Sequence, residues 1–404
     1  MLVKTVALEG HILDSHTLSK VLDFVLERGG CYEILDLTVG CRPEDLSRAT
    51  MCVGAERPEV LDEILRHIEL QGGVVARPEN VRLLAAPADG VFPEDFYSTT
   101  NLETFVTVDF EEIPVTGEAM DVGIAVDPAG RRAWEVPMDE VQAGQLFVVG
   151  TAGIRVTPLL RSHRPAEDFG FMASEVSVEK PRRRILEELA KALKEHRETN
   201  PRNLLVLGPA VVHSGAVEDL GRLLERGLFQ VLFGGNAIAA HDVEYALLGT
   251  SLGIEVKSGR PVPGGHRNHL KAINTIRGLG GIRPAIEAGV LRSGIMHRAY
   301  TNNLDVVLAG SIRDDGPLPE VVTDALAAKR LMREGVKDVG VAVMVATALH
   351  SIATGNLLPA RVRTFCVDVN TATVTKLMDR GSAQATPIVM DCEAFFHELA
   401  ELTL

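Results

Sequence analysis

The sequence predicts a mixed α/β protein of three regions: a ferredoxin-like α+β domain over 1–95, a small β-rich domain over 96–180, and a doubly wound parallel-sheet domain over 181–404. Three observations carry this reading. The first region has strand and helix patterns in the order β-α-β-β-α-β. The second has short strand-like runs broken by Pro, Gly and Asp. The third alternates apolar strand-like runs with helical patterns, as repeated βα units do. A length of 404 residues leaves room for two or three domains. With 46% hydrophobic and 24% charged residues, the chain has the composition of a folded protein, not a disordered one.

In the first region VKTVALEG reads as a strand. Ser15 is placed to cap the helix HTLSKVLDFVLERGG. Its Leu18, Val21, Leu22, Val25 and Leu26 form one apolar stripe, and Gly29 and Gly30 stop it. CYEILDLTVG and ATMCVGA read as strands, PEVLDEILRHIELQG as a second helix, and GVVARPENVRLLAA as a closing strand. In the second region TFVTVDF, DVGIAVDP, RRAWEVPM and QLFVVGTAGIRVTPL are strand-like. The third opens on the helix PRRRILEELAKALKEHRE. Its strand-like runs NLLVLG, FQVLFGG, DVVLAG, VGVAVMVAT, RTFCVDV and PIVMD are nearly all apolar. That pattern belongs to a parallel sheet with helices on both faces.

Composition excludes several function classes. A net charge of −14 argues against nucleic-acid or anionic-membrane partners, and 4% aromatics with a single Trp134 argue against a base-stacking surface. The five cysteines, Cys31, Cys41, Cys52, Cys366 and Cys392, are odd in number and include no C-x-x-C pair, so neither a disulfide framework nor a cysteine-rich zinc site is expected. MLVKTVALEG lacks the apolar core of a signal peptide, and VGVAVMVATAL is too short to span a bilayer. A cytoplasmic protein is expected.

In an open parallel sheet, ligands bind beyond the carboxyl ends of the strands. After FQVLF come Gly234-Gly235-Asn236-Ala237 and a helix, where backbone can approach a ligand and free N–H groups can meet a phosphate. Asn236 either caps that helix or binds the ligand. After DVVLAG comes Ser311-Ile312-Arg313-Asp314-Asp315, a charged loop that either contacts a ligand or caps the next helix. After VGVAVMVA comes Thr347-Ala348-Leu349-His350-Ser351, in which a histidine near a helix start tends to be neutral. Asp368 and Asp391 also end strands. Each is a candidate for ribose hydroxyls or for a helix cap. Together these polar strand ends point to a nucleotide crevice. NLLVLGPAVVHSG lacks the G-x-G-x-x-G spacing, which argues against an ordinary Rossmann dehydrogenase.

PVPGGHRNHLKAINTIRGLGG gathers His266, Arg267, Asn268, His269, Lys271 and Arg277. Such a segment suits a carboxylate-bearing substrate, with arginine giving bidentate bonds. No third ligand follows His266 and His269 at metal spacing, so no metal is expected. His241-Asp242 is a further potential acid–base pair.

FGGNAIAAHDVEYALLGTSLG, GGHRNHLKAINTIRGLGGI and LAGSIRDDGPLP resemble the archaeal-type ornithine cyclodeaminases and the C-terminal part of cyanobacterial arginine dihydrolase/ornithine cyclodeaminases. GHILDSHTLSKVLD resembles the domain named for lysine-ketoglutarate reductase/saccharopine dehydrogenase proteins. The resemblance covers essentially the whole chain. It implies a bound NAD and a C-terminal domain similar to the deoxyhypusine synthase type of NAD fold. It also implies that Asn236, Ala237, Asp314, Thr347, Ala348, Leu349, His350, Asp368 and Asp391 line the NAD site. With no arginine-dihydrolase domain in the chain, action on arginine is not expected.

The activity so implied is conversion of L-ornithine to L-proline and ammonia. Hydride leaves Cα for NAD, the δ-amine attacks the resulting imine, ammonia departs, and the hydride returns. Asp315 is the candidate to bind or deprotonate the δ-ammonium, and Lys271 or His266 to serve the α-amino or carboxylate end. A homo-oligomer is expected. Two alternatives stay open: an oxidoreductase on lysine- or saccharopine-like amino acids, and a non-catalytic NAD-binding amino-acid sensor.

Overall fold

The computed structural model describes residues 2–10, 12–13, 16–40, 45–75, 80–157, 182–199, 202–256, 258–314, 316–379 and 385–403. Ser15, Cys41 and Asp315 lie outside the described residues. The chain divides into two compact units, Met1–Met172 with Leu358–Arg361, and Ala173–Leu357 with Val362–Leu404.

The first unit begins with β1 (Leu2–Gly10), α1 (Thr17–Glu27), β2 (Cys31–Thr38), β3 (Ser47–Ala55), α2 (Pro58–Leu70) and β4 (Val74–Val75). The sheet order is β2-β3-β1-β4 with every pair antiparallel, the arrangement of a ferredoxin-like unit. One face of α1 packs Leu18, Val21 and Val25 against Val6, Met51 and Val53 of the sheet and Ile64 of α2. Leu26, expected on that stripe, is exposed instead.

A second sheet in this unit is built from β5 (Arg82–Ala85), β6 (Thr104–Val108), β7 (Glu111–Thr116), β8 (Gly123–Asp127), β9 (Arg132–Val136), β10 (Leu146–Val149) and β11 (Ile154–Val156). Its order is β11-β6-β7-β9-β8-β10-β5. The run expected as one closing strand of the first domain splits: β4 closes the first sheet against β1, and β5 belongs here. It pairs antiparallel with β10, setting Leu83 opposite Val148. Val81 and Leu83 alternate onto the face that packs with Val106, Ile124 and Val148, so the β-rich sheet starts before residue 96.

The second unit contains α3 (Arg182–Thr199), β12 (Arg202–Leu207), α4 (Ala210–His213), α5 (Val217–Glu225), β13 (Val231–Gly235), α6 (Asn236–Leu248), a hairpin of β14 (Thr250–Ser251) and β15 (Ile254–Glu255), α7 (Asn268–Leu279), α8 (Ile282–Glu287) and α9 (Ile295–Thr301). It continues with β16 (Asp305–Ala309), β17 (Val321–Val322), α10 (Ala325–Gly335), β18 (Val339–Val345), α11 (Ala348–Gly355), β19 (Arg363–Asp368), α12 (Thr371–Asp379), β20 (Ala385–Val389) and α13 (Cys392–Leu402). The sheet is parallel throughout, in the order β17-β16-β13-β12-β18-β19-β20. The apolar strands β12, β13 and β18 are buried on both faces by helices. From β12 the chain winds outward to β17, crosses to β18, and winds outward the other way. The strand order thus reverses between β12 and β18. That is where an open α/β sheet forms its binding crevice. Among the described residues no helix is long and apolar enough to cross a membrane.

Candidate active site at the topological switch point

β12 and β18 leave the sheet almost in contact. A Cβ on Gly208 would lie 1.8 Å from the carbonyl oxygen of Ala346, so only glycine permits this approach. The Gly208 N–H donates to the Val345 carbonyl at 2.9 Å. Ala346 itself has φ +54°, a left-handed conformation that L side chains rarely adopt. Strain of this kind is held in place by its surroundings and concentrates at ligand sites. Here the Ala346 N–H is fixed to the Val367 carbonyl of β19 at 3.0 Å.

His350 joins three strand ends. Its Nδ1 lies 3.3 Å from Thr347 Oγ1 after β18, and its ring donates to the Ala309 carbonyl at the end of β16. Its Cε1 takes the space that a side chain on Gly235, at the end of β13, would fill. Burial pushes the imidazole pKa down, against the opposing pull of the Ala309 bond and the Asp314 charge, so the ring is neutral near pH 7. Two helices start at this edge with no side chain capping them: α6, after Gly235, and α11, after Thr347. Their free N–H groups suit a phosphate-bearing ligand. Ala237, Ala348 and Leu349 are exposed in these first turns.

Asn236 is the first residue of α6 and does not cap it. Its Oδ1 accepts from the Leu318 N–H at 3.1 Å, tying down the loop after β16. Arg277, expected to grip a substrate carboxylate, donates to the Pro317 carbonyl of the same loop at 2.7 Å. Asp314 closes that loop on itself, accepting from the Ser311 N–H at 2.8 Å. Asp368 accepts from the Asn370 N–H at 2.8 Å, and Asn370 in turn accepts from the Ala372 N–H in the first turn of α12. Asp391 is the cap of α13, accepting from the Glu393 and Ala394 N–H groups. His266 and Lys271 are exposed, on a short turn and on α7.

The expected His241-Asp242 pair is not formed. Successive helix residues point to different faces, whereas residues three apart meet. Accordingly His241 Nδ1 lies 3.1 Å from Glu244 Oε2. Asp242 is fully buried and accepts from the Ile295 and Met296 N–H groups, each at 2.7 Å. Two further histidines, not singled out with His241 by the sequence, approach it. The rings of His213 and His241 are 4.9 Å apart, and those of His241 and His269 are 6.2 Å apart. Among the described residues no group of three or more His, Cys, Asp or Glu is arranged to hold a metal ion.

A parallel sheet with this strand order, and an uncapped pair of helix starts at its switch point, defines a dinucleotide-binding α/β protein. Comparison with known proteins agrees. Residues 187–399 match the family described as "Arginine dihydrolase ArgZ-like, C-terminal, Rossmann fold", residues 103–186 its first region, and residues 3–102 the "LOR/SDH bifunctional enzyme conserved region". The missing G-x-G-x-x-G spacing is thus compatible with a Rossmann-type domain. An ornithine cyclodeaminase of Methanopyrus kandleri is 50% identical over 98% of this chain and 96% of its own length. The apo structure of cyanobacterial ArgZ, an arginine dihydrolase, is 33% identical with TM-score 0.86, over all of this chain and 58% of that one. The ternary complex of AgrE with ornithine and NAD+ is 36% identical with TM-score 0.54, over all of this chain and 57% of that one. The chain belongs to the ornithine cyclodeaminase family.

Proposed function

We propose that this chain is an NAD-dependent ornithine cyclodeaminase, converting L-ornithine to L-proline and ammonia. Similarity along nearly the full length of an archaeal ornithine cyclodeaminase carries the reading. The residues at the switch point fit a bound NAD: two helix starts leave N–H groups free for the pyrophosphate. Bound there, NAD supplies a hydride acceptor that is restored within each turnover.

The chain's own residues have the remaining tasks. Thr347, Ala348, Leu349 and His350 bound the crevice after β18, with neutral His350 fixing its floor against β13 and β16. Asn236, Ala237 and Asp314 line it from the β13 and β16 side, Asn236 by holding the Leu318 loop. Asp368 faces a ribose, and Asp391 holds the start of α13 at the same sheet edge. Asp315 takes the substrate δ-ammonium, and Lys271 or His266 the α-amino or carboxylate end. The second unit is of the deoxyhypusine synthase-like type of NAD fold, a reading supported by the parallel order around β12. The protein is cytoplasmic and a homo-oligomer. The exposed Ile34, Leu35 and Leu37 on edge strand β2 favour self-association.

Incubation of the pure protein with L-ornithine and substoichiometric NAD tests the activity. Proline and ammonia should form in equal amounts, with no net NADH. NADH growing in step with ornithine loss would instead make the chain an amino-acid dehydrogenase, and NAD binding without ammonia release would make it a sensor. Light scattering tests the oligomer.

A further inference from the structure

Beside the switch point, the second unit holds a polar cluster. At its centre is Glu244, fully buried. It accepts from Thr250 Oγ1 at 2.8 Å, the Leu252 N–H at 3.2 Å and the Gly253 N–H at 3.1 Å. Thr250 is itself held by Asn268 Nδ2 at 3.0 Å. Burial alone would raise the Glu244 pKa, but the bonds from His241, Gly253 and Thr250 outweigh it and hold the group low, so Glu244 is a carboxylate. A carboxylate only accepts. Nδ1 therefore donates to Glu244, so in the neutral tautomer of His241 the lone pair is on Nε2. No described residue bonds that Nε2. His213 stands beside it: its Nδ1 lies 2.6 Å from Ser251 Oγ, a hydroxyl that can donate or accept, and no described residue bonds its Nε2. Burial, then the neighbouring His241, pushes the His213 pKa down, so it is an uncharged base near neutral pH.

The cluster borders the crevice. His241 stands one turn above Ala237, on the same side of α6, and Ala237 is exposed at the carboxyl edge of the sheet. His213 ends α4, which begins two residues after Gly208. In each histidine, the described residues bond one ring nitrogen only, and each ring is part-buried.

We propose that His241 is the proton-transfer residue of the cyclodeamination, with Glu244 its positioning residue and His213 a second acceptor beside it; this rests on the ornithine cyclodeaminase reading. The reaction moves a proton at each nitrogen: the α-ammonium must lose one to solvent before hydride can leave Cα, and the δ-ammonium must lose one before it can attack. Nε2 of His241 takes a proton from the substrate δ-ammonium, freeing the lone pair that forms the new C–N bond. The resulting imidazolium faces the Glu244 carboxylate. It gives the proton to the α-nitrogen, the new ring nitrogen loses one of its own to solvent, and the lone pair so freed expels ammonia as the old C–N bond breaks; after the hydride returns, the proline nitrogen and the ammonia each regain a proton from solvent. The base is thereby restored, and ornithine cation yields proline and ammonium without a net proton. The titratable groups facing His241 are Glu244 on its own helix, His213 from α4 and His269 from α7.

The test uses the full chain. His241→Gln should lower kcat by roughly 10²–10⁴-fold while leaving NAD affinity and KM for ornithine within about threefold. Its kcat–pH profile should lose the acid limb seen in the wild type. Glu244→Gln removes the charge opposite the imidazolium, so its acid limb should move to lower pH as kcat falls. A merely structural Glu244 would lower stability and leave the limb in place. Near-normal kcat in folded His241→Gln, or an unmoved acid limb in Glu244→Gln, overturns the proposal. If His241→Gln does not fold, the Glu244→Gln limb decides alone. Wild-type protein that makes no proline overturns the cyclodeaminase reading instead.

Discussion

His350 occupies the room that Gly235 leaves open: a Cβ on Gly235 would lie 2.8 Å from the imidazole Cε1. A strand end after β13 and a helix start after β18 are thereby locked together at one edge of the sheet.

Gly235→Ala should push the His350 ring aside and break its bonds to Thr347 and Ala309. The expected result is weaker NAD binding with modest loss of stability. Gly208→Ala is harsher, because its neighbour at 1.8 Å is backbone and cannot rotate away. Overpacking of this kind costs about 1–3 kcal/mol or more. Calorimetric NAD titration and melting temperature should rank Gly208→Ala as the more damaging of the two. Equal, near-native values would remove the switch point from the binding site.

Asp242 sets a pH dependence. Burial raises its pKa from 3.8 to about 6, against the bonds from Met296 and Ile295. Between these values the folded chain holds a proton that the unfolded chain has lost. The contribution is full below 3.8 and disappears as pH rises through about 6, a change of about 3 kcal/mol. Asp242→Asn has no such group. The stability gap between wild type and Asp242→Asn should therefore shrink by about 2 kcal/mol from pH 4.5 to 7.5. Urea unfolding at both pH values measures it, and a constant gap would contradict the raised pKa.

Asp368 and Asp391 should separate in their effects. Asp368→Ala should weaken NAD binding by roughly 1–3 kcal/mol, the loss of one charged hydrogen-bond partner. Asp391→Ala removes the cap of α13 and should cost about 1 kcal/mol of stability. Titration calorimetry and thermal melting of each variant read both quantities. Undiminished NAD affinity in Asp368→Ala would end its assignment to the ribose.

In the charged loop after β16, Asp314→Asn keeps the shape that accepts the Ser311 N–H but removes the charge beside His350. It should weaken NAD or ornithine binding more than it slows turnover. Asp315→Asn should slow turnover by about 10²-fold or more. Two active but less stable variants would reduce the loop to a helix cap.

The sequence by itself determined the parallel sheet, because apolar runs such as VGVAVMV make sense only when both faces are covered. It also determined the β-α-β-β-α-β order of the first sheet and the polar strand ends, which follow from local pattern and from the carboxyl-edge rule. Tertiary structure alone decided the partners. Leu83 joined the second sheet because strand pairing is a contact across the chain, and its own alternation fits either sheet. Asn236 was legible as a site residue. Its hold on Leu318 spans 82 positions and has no local signature. His241 was legible, but its neighbour in sequence, Asp242, turned into the core. Its true partner, Glu244, lies three residues on, as helix geometry permits. The approach of His213 depends on the Gly208 turn that starts α4 beside α6, and only the packed sheet sets that turn.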